Sequence, residues 1–206
     1  MINERLAAPE LATVEIHGFT RAAFIIRAAL AAGSVYGLHT VSPLVGEALA
    51  QEEAGDIEIL NFALTLEFLE TDFYRSAQGL SGEVAELART FGDEEAEHVA
   101  ALSAAIEELG GTPAKKPQTT FPKGDQAAFL KLAQTLEDTG VSAYNGAAPR
   151  IESKEILAAA GSIVQVEARH AATIRMLNGE DPAPVAFDQT MQEDQVLSAV
   201  EPFVMA

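Results

Sequence analysis

Two short motifs of the form Glu-x-x-His carry the clearest chemistry in this chain. They are Glu95-Ala-Glu-His98 and Glu167-Ala-Arg-His170. In a helix, residues three apart lie on one face and one turn apart, so a carboxylate oxygen and an imidazole nitrogen can reach the same ion. Each motif therefore predicts half of a metal site. A single Glu-x-x-His is also common on solvated helix faces, so the prediction depends on the surrounding residues.

A second matched segment precedes each motif. Residues 65–74 and 135–144 both begin Thr-Leu-Glu, and both have a tyrosine seven residues after that glutamate. The stretch at about 56–109 thus looks like a weak duplicate of about 126–178. Together the halves supply four carboxylates and two imidazoles, as in carboxylate-bridged two-metal sites of four-helix bundles. The candidate metal ligands are Glu67, Glu95, His98, Glu137, Glu167 and His170.

Four amphipathic helices are predicted to position these side chains. Apolar periodicity and end signals place them at about 56–78, 82–109, 126–147 and 153–178. Asp56 is the predicted N-cap of the first helix. The short first and third connections predict antiparallel hairpins. The middle connection of about 16 residues can span about 50 Å, enough to cross the whole bundle.

The positions of the glutamates along the helices support a shared site. Counted from a hairpin centre near residue 80, Glu67 lies 13 residues before and Glu95 lies 15 after. Counted from a centre near residue 150, Glu137 lies 13 before and Glu167 lies 17 after. All four carboxylates therefore fall within about one helical turn of the same depth. Independent solvated acids have no reason to align in this way.

The composition excludes several other functions. The chain has no cysteine, which rules out disulfides, thiolate metal sites and cysteine nucleophiles. Its formal net charge of −18 opposes nucleic-acid binding, which needs lysine and arginine against phosphate. The same charge attracts metal cations or serves solubility alone. The remaining histidines, His17 and His39, are interpreted as incidental.

The predicted N-terminal segment, residues 1–53, contains an apolar stretch at 20–50. Its basic start, apolar middle and small-x-small end outline an export signal. Arg21 before Phe-Ile-Ile resembles a degraded twin-arginine signal, but Arg27 within the stretch opposes an efficient signal or a transmembrane helix. A cleaved signal, a membrane-surface anchor and a helix packed on the bundle or a neighbouring subunit stay open. We expect an exported or envelope-associated protein, with a cytoplasmic one as the alternative. If retained, the stretch also favours a homo-oligomer.

Four segments resemble the ferritin-like domain family that includes desiccation-related proteins. They are Leu60–Glu70, Glu95–His98, Leu136–Gly140 and Val166–Ala171. The resemblance implies an all-α, ferritin-like four-helix bundle at 54–179 with one long crossover connection, followed by a C-terminal tail at 180–206 with one short helix. It indicates the fold more closely than the reaction, because one fold hosts many functions.

The family pattern divides the ligands between two metals. It assigns Glu67, Glu95 and His98 to one ion and Glu137, Glu167 and His170 to the other, with Glu95 and Glu167 bridging. Oxygen donors with one imidazole per ion suit iron or manganese. The expected cofactor is therefore two Fe per chain, with Mn as the alternative.

Three further residues lie near the predicted ligands. Glu70, one turn beyond Glu67, is either an extra carboxylate at the site or a solvated or helix-pairing acid, and its counterpart in the second half is Gly140. Tyr74 and Tyr144 lie two turns beyond a ligand glutamate. They either donate hydrogen bonds to the ligand carboxylates or only pack in the core.

Three functions stay open from the sequence, and whether the protein is an enzyme stays open with them. The first is a di-iron ferroxidase or a detoxifying oxidase that consumes dioxygen or peroxide in stress protection. The second is a dimanganese catalase with the same ligands. The third is a structural stress or envelope protein whose bundle is stapled by metal. The expected partners are metal ions, dioxygen or peroxide and, through residues 20–50, a membrane surface.

Overall fold

Four long helices dominate the computed structural model, which describes residues 43–205, with side chains from residue 55 onward. They are α1 (Pro43–Ser76), α2 (Gly82–Glu108), α3 (Gln126–Ala147) and α4 (Lys154–Leu177), and a short α5 (Glu193–Val200) follows. The helices pack mainly as the pairs α1/α2 and α3/α4. The described residues contain no β-strand, only an isolated bridge between Thr119 and Val204. The predicted all-α bundle with a long middle connection is confirmed.

Local chemistry sets the helix ends. The Asp125 side chain accepts a hydrogen bond from the Ala128 amide (2.9 Å) and so caps the start of α3. The Ser153 hydroxyl accepts from the Ile156 amide (3.2 Å) at the start of α4. Glycines at positive φ, Gly110 and Gly179, follow the ends of α2 and α4, because a left-handed residue there carries no Cβ penalty.

The predicted role of Asp56 is wrong. Helix α1 begins at Pro43, so Asp56 lies inside the helix instead of capping it. Its buried carboxylate accepts hydrogen bonds from the amides of Glu152 (3.0 Å) and Ser153 (2.9 Å). Asp56 therefore satisfies amides at the start of α4, a helix distant in sequence, and ties the two hairpins together.

A polar layer lies between two apolar clusters along the bundle. The first cluster includes Leu69, Phe73, Phe91, Leu136 and Ile174. The second includes Leu64, Leu102, Ile106, Tyr144 and Ile163. On every long helix, the predicted ligand glutamate falls between residues of the two clusters. Each carboxylate is therefore held where the flanking turns are fixed by apolar packing, away from the frayed helix ends.

The C-terminal tail packs back onto this bundle. Val196 and Val200 of α5 are buried in the first cluster. The Met191 amide donates to the carbonyl oxygen of Ser142 on α3 (3.0 Å). A Cβ placed on Gly146 would overlap the Met191 carbonyl oxygen. Glycine at this position therefore allows the tail to approach the α3 backbone closely.

The substitution Gly146→Ala is expected to displace the tail from α3. Backbone atoms cannot move aside as a flexible side chain can, so we expect a loss of about 1–3 kcal/mol in unfolding free energy. The melting temperature should fall by roughly 2–4 °C per kcal/mol. The matched control is Gly161→Ala on α4, where a Cβ meets nothing within 4 Å, and which should stabilise the helix by up to about 1 kcal/mol. Equal melting temperatures for Gly146→Ala and wild type would contradict the close packing.

Some of the N-terminal predictions lie outside the described residues. These concern residues 20–42 of the apolar stretch, His17 and His39. No helix within residues 43–205 is long and apolar enough to cross a membrane. Export, membrane-surface attachment and homo-oligomer formation stay predictions.

Candidate metal centre

All six predicted ligand residues meet in the middle of the bundle, and each of the four long helices contributes. They are Glu67 from α1, Glu95 and His98 from α2, Glu137 from α3, and Glu167 and His170 from α4. The four glutamates are 0 % exposed, and both histidines are buried. Carboxylates are almost never fully buried unless they are paired or bind a cation. The four glutamates that the sequence places at the same depth therefore form a cluster in the structure.

The six residues form two overlapping groups. One contains Glu67, Glu95, His98 and Glu167, and the other contains Glu95, Glu137, Glu167 and His170. Within each group the ligand atoms lie within 4.8 Å of one another. Glu95 and Glu167 belong to both groups. These are the two residues that the family pattern implies as bridging carboxylates. Each group then has one carboxylate and one imidazole of its own.

Several ligand atoms of this cluster lie close together without forming hydrogen bonds. Both oxygens of Glu167, one oxygen each of Glu95 and Glu137, and Nδ1 of His170 are buried and have no hydrogen-bond partner among the described residues. Yet His170 Nδ1 lies 2.9 Å from Glu95 Oε1, and His98 Nδ1 lies 3.0 Å from Glu167 Oε1. Buried polar atoms without partners are rare and need an explanation such as a bound ion. The residues present therefore fit a pair of metal ions.

The electrostatics of the metal-free cluster favour extra protons. Burial, which outweighs the contacts with the histidines, raises the pKa of Glu95 to about 7. Burial and the charges of Glu95 and Glu67 raise the pKa of Glu167 well above its usual range. Burial opposes protonation of His170, but the Glu137 and Glu95 carboxylates outweigh it and raise its pKa to about 11. Without metal, protons on these groups therefore neutralise part of the negative charge that bound cations would otherwise balance.

Comparison with known proteins agrees with this geometry. The family model described as a ferritin-like domain matches residues 55–180. The chain belongs to the ferritin-like domain family. The predicted ferritin-like fold is thereby confirmed, and the matched region includes residues 55–76 of α1, the whole of α2, α3 and α4, and the six clustered residues.

Two solved structures are similar to this ferritin-like chain in fold. One is described as ferritin-like, diiron-carboxylate proteins from Bacillus anthracis str. Ames, at 23 % identity and a TM-score of 0.55, covering 62 % of this chain and 97 % of that one. The other is a conserved hypothetical protein, rv2844, from Mycobacterium tuberculosis, at 20 % identity and a TM-score of 0.57, covering 66 % and 99 %. At these identities the likeness establishes the fold alone.

A curated relative is Protein rds1 of Schizosaccharomyces pombe. It is 25 % identical over 150 residues, which is 73 % of this chain and 36 % of rds1. The ferritin-like chain therefore spans about a third of that protein's length. Nothing about the activity of rds1 follows for this chain.

Two tyrosines donate hydrogen bonds to carboxylates of the ferritin-like site, each to a glutamate of the other hairpin. The Tyr74 hydroxyl of α1 donates a hydrogen bond to Glu137 of α3. The Tyr144 hydroxyl of α3 donates to Glu67 of α1 (2.5 Å). Each tyrosine thus links its own hairpin to the unshared glutamate of the other hairpin. Burial and the neighbouring carboxylates raise the pKa of both phenols well above the usual range, so both stay protonated donors.

Glu70 is buried rather than solvated, at 3 % exposure. A Cβ on Gly140 would lie 3.1 Å from its Oε1, so the glycine in the second half provides the room for this carboxyl. Glu70 is not a member of either ligand group. Burial and the charges of Glu167 and Glu137 raise its pKa well above the usual range. It is therefore a fifth buried carboxyl beside the site.

Sequence reasoning missed Glu94. Its Oε2 lies 2.7 Å from Nε2 of His170, on the side of the ring opposite to the cluster. Glu94 directly precedes the Glu95-x-x-His98 motif, and successive helix positions differ by about 100° around the helix axis. Helical periodicity therefore predicts that Glu94 points away from the motif's own ligands, as a solvated acid does. The only sequence signal was its place directly before Glu95, which belongs to both ligand groups. The partner lies 76 residues away in the chain.

Proposed function

We propose that this protein is a non-haem dinuclear metal protein, with iron as the favoured metal, that oxidises Fe(II) with dioxygen or peroxide and so protects against oxidative stress. The observation that carries the proposal is the pair of overlapping buried ligand groups that share Glu95 and Glu167. Each group offers three carboxylates and one imidazole, a hard donor set typical of iron and manganese sites. A purely structural cation site does not need two adjacent groups with shared ligands.

Charge balance supports a two-ion site. The four ligand carboxylates offset two divalent cations, and the two neutral imidazoles add no charge. Bound iron supplies the redox chemistry, because a carboxylate-rich donor set stabilises the higher oxidation state. The enclosing apolar clusters exclude bulk water from these residues, which strengthens every interaction within the site.

Side chains around the ligands have separate roles in this proposal. Tyr74 and Tyr144 fix the unshared carboxylates of Glu137 and Glu67 through their hydroxyl groups. Glu70 is the buried carboxyl beside the ligands that the two divalent ions do not neutralise, so it holds a proton on its carboxyl group when both ions are divalent. It is positioned to release that proton when the charge of the site rises.

Manganese remains the alternative metal, since both metals accept these ligands and availability decides much of the occupancy. With manganese, the same residues would support peroxide dismutation. Oxygen release from peroxide by the manganese-loaded protein, without Fe(II) oxidation by the iron-loaded protein, would favour that function.

The test of the proposal is the metal content of the full chain purified without added metal, compared with that of His98→Ala/His170→Ala. We expect about two Fe per chain in wild type and a loss of most of it in the double variant, because one imidazole is removed from each group. Circular dichroism of both proteins verifies that the bundle is folded. Absence of metal from folded wild-type protein, even after anaerobic reconstitution with Fe(II), would overturn the proposal. Two ions bound without turnover, together with a strong drop in melting temperature on chelation, would indicate a structural metal site instead.

A further inference from the structure

The two ligand groups are matched in composition but not in their outer contacts. Each holds one unshared glutamate, the shared Glu95 and Glu167, and one histidine. Each unshared glutamate also accepts a tyrosine hydroxyl. Besides Glu70, whose counterpart in the second half is Gly140, the surroundings of the two histidines distinguish the groups.

His170 is held from two sides. Its Nδ1 faces the cluster, 2.9 Å from Glu95 Oε1, while its Nε2 lies 2.7 Å from Glu94 Oε2. Phe91 stacks on the ring at 3.8 Å between centroids and 23° between planes. A carboxylate on Nε2 can only accept a hydrogen bond, so it places the proton on Nε2 and leaves the Nδ1 lone pair aimed at the ligand cluster.

His98 has no equivalent support. Its Nδ1 lies 2.9–3.2 Å from Glu95, Glu167 and Glu67, but within residues 55–205 no side chain accepts a hydrogen bond from its Nε2. Its side chain is 10 % exposed, against 3 % for His170. The duplication explains the difference, because the counterpart of Glu94 in the second half is the buried Val166.

We infer that Glu94 is a positioning residue that makes the two metal subsites unequal, so that the subsite of His170 binds a divalent cation first and more tightly. This inference rests on the proposed two-ion site and adds the order in which it fills. A hydrogen-bonded partner beyond the metal ligands typically changes metal affinity by about 10–100-fold, which is enough to separate two binding steps in a titration.

Calorimetric titration with Co²⁺ tests the inference when each subsite is isolated. His98→Ala leaves the subsite of His170, and His170→Ala leaves the subsite of His98. We expect Glu94→Gln to weaken Co²⁺ binding about 10–100-fold in the His98→Ala protein and less than about twofold in the His170→Ala protein. Glu97→Gln is the matched control, because it removes the same charge from an exposed position of the same helix, and it should change neither.

Each alternative result has a distinct meaning. Equal weakening of both subsites by Glu94→Gln would show a general charge effect, and no weakening of either would show no coupling; both results overturn the inference and leave the two-ion site standing. Wild-type protein that binds no Co²⁺ would overturn the proposed function together with the inference.

A second measurement covers single-histidine variants that fail to fold. The chain has only four histidines, so ¹⁵N-imidazole NMR of the Zn²⁺-loaded full chain resolves them individually. We expect His170 to carry its proton on Nε2, with slow exchange that Glu94→Gln accelerates and Glu97→Gln does not. An Nε2 of His170 that lacks this proton, or exchanges it equally fast in all three proteins, overturns the inference.

Discussion

Replacing Glu167 by alanine is expected to remove both metal ions and with them Fe(II) oxidation. Glu167 belongs to both ligand groups, and neither of its oxygens has a hydrogen-bond partner among the described residues. The loss should exceed the roughly 10–100-fold that is typical for a partner outside the ligand set. Metal analysis of the purified variant and the initial rate of Fe(II) oxidation under air measure it.

The control for this variant is Glu97→Ala, which removes an exposed acid two residues beyond Glu95. It should keep the full metal content and the wild-type rate. Folding of Glu167→Ala is verified by its helical circular dichroism, and we expect the fold to survive because the substitution removes a buried carboxyl group without hydrogen-bond partners from a crowded cluster. An unchanged rate of Fe(II) oxidation in Glu167→Ala would show that the reaction does not take place at this site.

The second large effect concerns the stability of the metal-free protein, which should fall as pH rises from about 5 to 9. Glu95 has a folded-state pKa of about 7 against an ordinary value of 4.5, so its contribution is complete below 4.5 and disappears as pH passes 7. Glu167 and Glu70 shift in the same direction. His170 adds a contribution that is complete below 6.5 and disappears toward about 11. Glu95 alone is worth on the order of 3 kcal/mol, or on the order of 10 °C in melting temperature.

One group works in the opposite direction at the acidic end. Burial would raise the pKa of Glu67, but its hydrogen bond with His98 and the charge of that histidine lower it below 4.5. Its contribution is therefore lost only as pH falls below that value. It does not alter the trend above pH 5.

Loading the protein with metal should reverse the trend, because the ions bind only deprotonated ligands and their stabilisation grows with pH. Thermal melts of chelated and metal-loaded protein across this pH range measure both trends. Glu70→Gln, which is neutral at every pH, should flatten part of the fall in the metal-free protein. A melting temperature of the chelated protein that rises with pH would show that these carboxylates do not hold protons in the folded state.

Much of the fold and of the site was predictable because it depends on local periodicity. A ligand glutamate and its position in a helix follow from residues within a few turns, and the depths of Glu67, Glu95, Glu137 and Glu167 followed from counting along two short hairpins. The long helices end within about two residues of the predicted positions except at the start of α1. There the N-cap predicted at Asp56 is wrong, because its carboxylate accepts hydrogen bonds from amides at the start of α4 instead.

The sequence by itself determined the bundle, the six clustered residues and the tyrosines seven residues beyond two of them. Only the tertiary structure decided that Glu70 lies buried in the space left by Gly140 and that Glu94 holds His170. The physical reason is that both contacts join helices from different hairpins, so their distances depend on how the pairs α1/α2 and α3/α4 pack against each other. Helical periodicity shows which face a side chain occupies, but the group opposite that face is set only when the two hairpins meet.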